Sequence, residues 1–181
     1  MLVNDYQHGH ALDENCLRLH LIRSSYAPDP LPEIGEHEMQ LRLGPTLGPA
    51  TPAEANRRAA AQHHPLVPTG TDAHKGELPD TAAFLTVAGD GIELSGLKRA
   101  ETGDGLIVRV YETAGNESEA CVTLNRPLLG RVTAACETDI LERPAANDSG
   151  RVRVEAENRV IASVPAFGIV TLKIQTDKRE G

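Results

Sequence analysis

The sequence predicts a mainly β protein, an antiparallel β-sandwich with one short helix near 52–63. Many short segments alternate apolar and polar residues, which is the period of a half-buried strand. These segments are separated by turns rich in Gly, Asn and Pro, as in sandwich folds. Aromatic residues make up 3% of the chain and Trp is absent, so a core must consist mainly of Val, Leu, Ile and Ala.

The first third of the chain contains two alternating segments, 16–22 and 37–43, that predict strands. The connecting segment 26–35 is rich in Pro and acidic residues. Proline fixes φ and removes a backbone donor, so this segment is expected to be a rigid connector without a hydrogen-bonded ladder.

The single strong helix signal begins at Thr51, which is followed by Pro52 and, three residues after the cap, by Glu54. This pattern predicts a capping box with proline at the first helical position. The helix is expected to run through Gln62 and to stop before Pro65. The segment 68–80 is then expected to be a mobile loop.

From Thr81 onward the pattern predicts only strands. Residues 84–87 and 92–94 flank a Gly-Asp-Gly turn and predict a hairpin. Segment 106–111 is the most apolar and is expected to lie centrally in its sheet. The remaining predicted strands are 120–124, 131–135, 152–156, 160–164 and 169–174. The charged tail from residue 175 is expected to fray.

Charge and composition disfavour several classes of partner. The formal net charge of −8 disfavours binding to nucleic acid or to an anionic membrane. The sequence shows neither an apolar run long enough to span a bilayer nor a signal peptide, so a cytoplasmic location is expected. The cysteines Cys16, Cys121 and Cys136 are odd in number and widely spaced, and we expect buried or half-buried free thiols.

Six blocks of sequence resemble, in order and spacing, the C-terminal region of the glycoside hydrolase family 38 α-mannosidases. They are NDYQHG at 4–9, LRLHLIRS at 17–24, DP with GEHE at 29–38, HHPL at 63–66, LKRAE with GLIVRVYE at 97–112, and PAFGIVTL at 165–172. The chain departs from the family pattern at three places. Gln7 and His8 replace Lys-Tyr, Gly168 replaces Glu, and His63 and His64 replace two Asn, so no role is carried over at these positions.

The resemblance implies a sandwich of the galactose-mutarotase-like, or supersandwich, type over residues 1–175. An alternative is a division into 1–80, the end of a large sandwich with the helix and loop, and 81–175, a small β domain, followed by a tail at 176–181. The family's zinc site and Asp nucleophile lie in an N-terminal α/β domain without counterpart here. The chain is therefore expected to be truncated, as a gene fragment or a partial open reading frame, and to contain no cofactor of its own.

By the same resemblance, the whole enzyme would hydrolyse terminal α-D-mannosyl residues by a zinc-assisted, retaining mechanism. The expected partners are the N-terminal catalytic domain and a mannoside substrate, and oligomerisation is left open. No catalytic and no metal-binding residue is assigned within this chain, which alone is predicted to be inactive.

Polar loops beside strong strands often carry function, and the segments 4–9 and 26–37 have this character. The candidates for a substrate pocket or an interdomain contact are Asn4, Asp5, His8, Arg23, Asp29 and His37. In one interpretation these side chains wall the mannose pocket. In the other, Asn4, Asp5, Asp29 and His37 lock two loops together by side-chain-to-backbone bonds.

Three further alternatives stay open. The nearby His8, His10, His20 and His37 could suggest a metal site, but polar loop histidines are the preferred interpretation. A non-catalytic carbohydrate- or protein-binding sandwich would need Tyr6, Tyr26 or Tyr111 laid flat in a groove. An inactive gene fragment would expose the apolar face of an incomplete sheet.

Overall fold

The protein is described here from a computed structural model, which covers residues 1–28, 33–76, 79–145 and 150–177. It divides into two compact units, Met1–Thr71 and Asp72–Gly181. We call them the N-terminal unit and the C-terminal unit. Neither helix found in the described ranges is long and apolar enough to cross a membrane.

The N-terminal unit contains two separate two-stranded antiparallel ribbons and one helix. Strand β1 pairs with β4, and β2 pairs with β3. The elements are β1 Leu2–Asn4, β2 His10–Asp13, β3 Cys16–Leu19, β4 Leu41–Leu43 and α1 Pro52–His63.

Both strands predicted in this unit are shorter than expected. The ladder of β3 ends at Leu19 because its partner β2 begins at His10, the residue opposite Leu19. One more backbone bond, from His20 N to Gly9 O (2.8 Å), follows. The second predicted strand is reduced to Leu41–Leu43, since its partner β1 has three residues. The sequence analysis missed β1 and β2, which are too short to show a clear period.

The predicted helix is confirmed over Pro52–His63. The Thr51 hydroxyl accepts a hydrogen bond from Glu54 N (3.2 Å), as an N-cap should. The Glu54 carboxylate pairs with Arg58 one turn later (2.6 Å). Of the two parts of the capping box, the Thr51 hydrogen bond is present, and the Glu54 side chain instead forms this ion pair on the helix surface.

The C-terminal unit is a β-sandwich of two four-stranded antiparallel sheets, as predicted. The sheet orders are β10-β11-β8-β5 and β6-β7-β12-β9. Val108, Val122 and Leu172 are fully buried members of one apolar core composed of Val, Leu, Ile and Ala. The strands are β5 Leu85–Ala88, β6 Ile92–Arg99, β7 Leu106–Glu112, β8 Ser118–Leu124, β9 Val132–Thr138, β10 Val152–Ala156, β11 Arg159–Val164 and β12 Ile169–Thr176, with a one-turn helix α2 Arg126–Leu129.

The predicted hairpin between 84–87 and 92–94 is wrong, because β5 pairs with β8 and β6 pairs with β7 in the other sheet. Gly89 takes φ +147°, and a Cβ there would lie 2.4 Å from Glu119 O. The chain passes this close to β8 because it is crossing from one sheet to the other. Gly91 O then accepts from Thr113 N (2.9 Å), which fixes the crossing against the end of β7.

Strand β7 is internal to its sheet, as predicted, but three other expectations need correction. The predicted fraying from residue 175 is wrong for the described part, since β12 extends to Thr176. Asp177 N then donates to Arg131 O (3.0 Å). Helix α2 was not predicted. Cys16 and Cys136 are exposed, and only Cys121 is half-buried.

Candidate functional site

The N-terminal unit contains an open cleft of about 790 Å³. Four stretches of chain line it: 6–9, 20–23, Glu33 and 36–39. The first stretch follows β1, and the second follows β3 where its ladder has ended. The cleft is therefore formed by loop backbone beside the ends of short strands, a common position for binding residues. We call it the N-terminal cleft.

Three of the six predicted candidates line this cleft: His8, Arg23 and His37. His37 Nε2 donates to Glu33 O (2.8 Å), which holds its ring against the loop. Asn4 and Asp5 are not among the lining residues. Asp29 lies outside the described residues.

Asp5 joins the loop after β1 to helix α1. Its Oδ2 accepts from Gln40 N (2.7 Å) and its Oδ1 from Gln62 Nε2 (3.0 Å). Gln62 is buried and also donates to Gln40 O (3.1 Å). The Gln62 hydrogen bond, followed by the Gln40 amide, lowers the pKa of Asp5 below its usual 3.8. These contacts favour the structural interpretation for this residue.

Asn4 makes a second set of local bonds. Its Oδ1 accepts from Gln7 N (3.0 Å), three residues further along the chain, which closes a local loop. Its Nδ2 lies 2.9 Å from His10 Nε2, and its carbonyl accepts from His63 Nε2 (2.8 Å). Asn4 thus shapes the loop that enters the cleft and ties it to the end of α1.

Several lining residues were not among the candidates. They are Tyr6, Gln7, Gly9, His20, Leu21, Ile22, Glu33, Glu36, Glu38 and Met39. Five of these ten lie in the segments 4–9 and 26–37 that the sequence analysis had chosen as functional loops, but composition could not rank them individually. Gln7 is the most informative, because its buried Oε1 has no hydrogen-bond partner among the described residues.

The cleft is chemically mixed, since it combines histidines and Arg23 with the three carboxylates Glu33, Glu36 and Glu38. Such a surface offers donors and acceptors to a hydroxylated ligand. Within residues 1–28, 33–76, 79–145 and 150–177, no group of three or more His, Cys, Asp or Glu side chains could hold a metal ion. The residues present therefore do not fit a zinc site.

The C-terminal unit holds one buried carboxylate that the sequence analysis missed. Glu112, at the end of β7, is 3% exposed. It accepts backbone bonds from Ala114 (2.5 Å), Gly115 (2.8 Å) and Phe167 (2.9 Å). Burial alone would raise the pKa of Glu112, but these N–H donors outweigh burial and lower it. Glu112 thus clamps two loops together.

The described residues thus form an all-β sandwich and a smaller β-rich unit that contains a polar cleft. Residues 91–172 match the family described as the glycosyl hydrolases family 38 C-terminal beta sandwich domain. The resemblance indicated by the six sequence blocks is thereby confirmed, and the sandwich of the C-terminal unit is similar to this domain.

Curated relatives extend the similarity over nearly the whole chain. Alpha-mannosidase 2C1 of Homo sapiens is 28% identical over 177 residues, which is 94% of this chain and 16% of the relative. Alpha-mannosidase 2C1 of Mus musculus is 26% identical, with the same shares. Alpha-mannosidase of Saccharomyces cerevisiae is 26% identical over 96% of this chain and 17% of its own length. The chain thus spans about a sixth of the length of these relatives.

Proposed function

We propose that this chain forms the C-terminal portion of a glycosidase that hydrolyses terminal α-D-mannosyl residues, in which it supports the catalytic domain. The observation that carries the proposal is similarity to alpha-mannosidases over 94% of the chain, together with the family match of the sandwich. The small share of each relative that is covered supports a role as one part of a larger enzyme.

The reaction would depend on groups outside this chain. A retaining glycosidase needs two carboxyl groups about 5–5.5 Å apart, one as nucleophile and one as acid and base. Here Asp5 and Glu112 are both occupied by hydrogen bonds within the fold. The family resemblance implies an N-terminal α/β domain that supplies the zinc and the Asp nucleophile, and this domain is the proposed partner.

The division at Thr71 and Asp72 supports the proposed domain organisation. Residues 1–80 would be the end of a large sandwich, and residues 81–175 a small β domain. Three free cysteines, Cys16, Cys121 and Cys136, fit the reducing cytoplasm in which we propose that the enzyme acts.

Within the N-terminal unit, we assign the N-terminal cleft to the pocket wall or to the interdomain contact. His8, Arg23 and His37 would provide the polar contacts. Asp29, which belongs to the sequence segment 26–37, would provide a further one. Gln7 Oε1 has no hydrogen-bond partner among the described residues, which supports this assignment, because an unpaired buried acceptor is costly and a ligand hydroxyl would satisfy it. Asn4 and Asp5 would hold the loops in place.

An exchange experiment tests the proposed function. Human Alpha-mannosidase 2C1 is expressed with its matched segment replaced by this chain, and both the chimera and the isolated chain are assayed on an aryl α-D-mannoside. The chimera is expected to show metal-dependent turnover and the isolated chain none. Turnover by the isolated chain, or a folded chimera without activity, would contradict the proposal.

The cleft is tested in the same chimera with Arg23→Ala and Asp29→Ala. A substrate role predicts a higher KM with an unchanged melting temperature. Unchanged kinetic parameters with lower thermal stability would instead assign these residues to loop locking. Asp5→Asn is the matched structural control, for which we expect lower stability and unchanged KM.

A second candidate, direct sugar binding by this chain, is favoured by one observation. Tyr6 lines the N-terminal cleft with 71% of its surface exposed, and an exposed ring can stack on a sugar. Titration of the isolated chain with mannose is expected to give heat that Tyr6→Ala removes. Tyr26→Ala, at a ring 89% exposed that is not among the cleft-lining residues, is the control.

A further inference from the structure

The β2–β3 hairpin has one apolar face and one polar face. Leu12 lies opposite Leu17 in the ladder, and His10 opposite Leu19, so these side chains share a face. Leu12 is 76% exposed and Leu17 is 47% exposed. We call Leu12, Leu17 and Leu19 the leucine face.

The other face of the hairpin is polar and internally paired. It carries Ala11 opposite Arg18 and Asp13 opposite Cys16. Arg18 Nη2 lies 3.4 Å from Asp13 Oδ2 in an ion pair that is more than half exposed on both sides. The polar face therefore suits water, whereas the leucine face has the composition of a sheet face that is normally covered.

Among the described residues, the rest of the N-terminal unit leaves Leu19 half-buried but Leu12 and Leu17 exposed. Among its described residues the one buried side chain is the polar Gln62. The second ribbon shows the same exposure, with Leu41 at 47% and Leu43 at 79%. An isolated two-stranded ribbon is marginally stable in water and needs packing on a third element.

We propose that the leucine face docks onto an apolar β-sheet surface in the part of an α-mannosidase polypeptide that this chain does not cover. The inference rests on the proposed function. The comparisons support this choice of docking partner, since the similar proteins contain this region as about 16% of a much longer polypeptide. The net charge of −8 makes an anionic membrane a poor occupant. Sheet-on-sheet contact would bury the alternating leucines as a second layer.

The test is co-purification from a common host. Human Alpha-mannosidase 2C1 lacking its matched segment is expressed with this chain, tagged on the chain. The variants are Leu12→Asp with Leu17→Asp on the leucine face, and Ala11→Asp as the matched control on the opposite face of the same hairpin. Circular dichroism and the urea midpoint confirm that each variant retains the folded sandwich.

The wild-type chain and Ala11→Asp are expected to retain the partner in equal amounts. The double leucine variant is expected to lose binding by about tenfold or more, because charge would enter a dry contact. Equal retention by all three chains would overturn the docking surface while leaving the proposed function intact. Failure of the wild-type chain to bind would count against both.

A measurement on the isolated chain tests whether a second copy of the chain binds the leucine face instead. Sedimentation is measured at increasing concentration, with and without the partner. We expect no dimer that requires Leu12 and that survives addition of the partner. Such a dimer would assign the leucine face to a second copy and overturn the proposal. An apolar dye is expected to bind the wild-type chain and Ala11→Asp more strongly than the double leucine variant.

Discussion

The two units place the same kind of strand in opposite surroundings. In the C-terminal unit, alternate residues such as Leu172 are fully buried between two four-stranded sheets. In the N-terminal unit, the strand residue Leu43 remains 79% exposed on a two-stranded ribbon. Alternation of apolar and polar residues therefore specifies a strand with an apolar side. Whether that side is buried depends on a second sheet, which the C-terminal unit contains in itself.

The sharpest contrast is a matched pair of leucine truncations. Leu172→Ala is expected to lower the free energy of unfolding by about 2–5 kcal/mol, because it leaves a cavity in a closed core. Leu43→Ala is expected to change it by less than about 0.5 kcal/mol, as at other exposed positions. Urea unfolding of the whole chain measures both. Equal losses would show that the N-terminal unit has a core of its own.

A second contrast compares two glycines with nearly the same φ. Gly89 in the C-terminal unit has φ +147° and Gly35 in the N-terminal unit has φ +152°. An added Cβ meets Glu119 O at 2.4 Å at the first position, and at the second it meets no described atom within 4 Å. Gly89→Ala should therefore cost about 1–3 kcal/mol more than Gly35→Ala, because the backbone must shift.

Thermal melting of the two alanine variants tests this difference. Equal shifts in melting temperature would mean that conformational strain, which both positions share, accounts for the whole effect. The close approach between the β5–β6 crossing and β8 would then contribute nothing measurable.

A third contrast concerns two carboxylates with lowered pKa values. Because the pKa of Glu112 is lower in the folded state than its usual 4.5, its stabilising contribution is present above pH 4.5 and is lost as the pH falls toward the folded pKa. Glu112→Gln should therefore lower stability at neutral pH and flatten the acid side of the stability curve.

Asp5→Asn is the counterpart in the N-terminal unit, where the Gln62 hydrogen bond holds the pKa of Asp5 below 3.8. We expect a smaller loss of stability, since this carboxylate is more exposed than Glu112. Unfolding midpoints measured across the acid range compare the two variants. A pH profile of Glu112→Gln that follows the wild type would contradict the clamp role.

The smallest difference between paired variants is expected at the helix cap. Thr51→Ala removes the hydroxyl that accepts from Glu54 N and should destabilise α1 by about 1 kcal/mol. Thr51→Ser keeps the acceptor and is expected to match the wild type. Helical circular dichroism during urea titration follows both, and equal behaviour of the two variants would exclude the cap.

Local sequence patterns predicted those elements that depend on neighbouring residues in the chain. The capping residues around Thr51 and the apolar alternation of 106–111 were sufficient to predict α1 and an internal strand. Long-range partners were not predictable in this way. The Gly-Asp-Gly turn after β5 resembles a hairpin, but Gly89 serves a sheet-to-sheet crossing that depends on the distant Glu119.

The candidate site shows the same limit. The chosen segments 4–9 and 26–37 contain seven of the thirteen residues that line the N-terminal cleft, because polar loops beside strands are visible in the sequence. The roles of Asp5 and Gln7 could not be predicted from the sequence. Asp5 accepts a hydrogen bond from the distant Gln62, and Gln7 Oε1 is distinguished only by having no hydrogen-bond partner among the described residues. Glu112 was missed because the sequence does not distinguish a buried carboxylate from an exposed one. Its backbone donors become known only from the structure.

Hydrogen exchange followed by mass spectrometry on the intact chain tests the central claim most directly. The account predicts slow exchange in β7, β8, β11 and β12, which lie inside the two sheets of the sandwich. It predicts fast exchange in β2 and β3, whose ribbon has an exposed leucine face. Protection of β2 and β3 equal to that of the sandwich would contradict the claim that no sheet among the described residues of the N-terminal unit covers the leucine face.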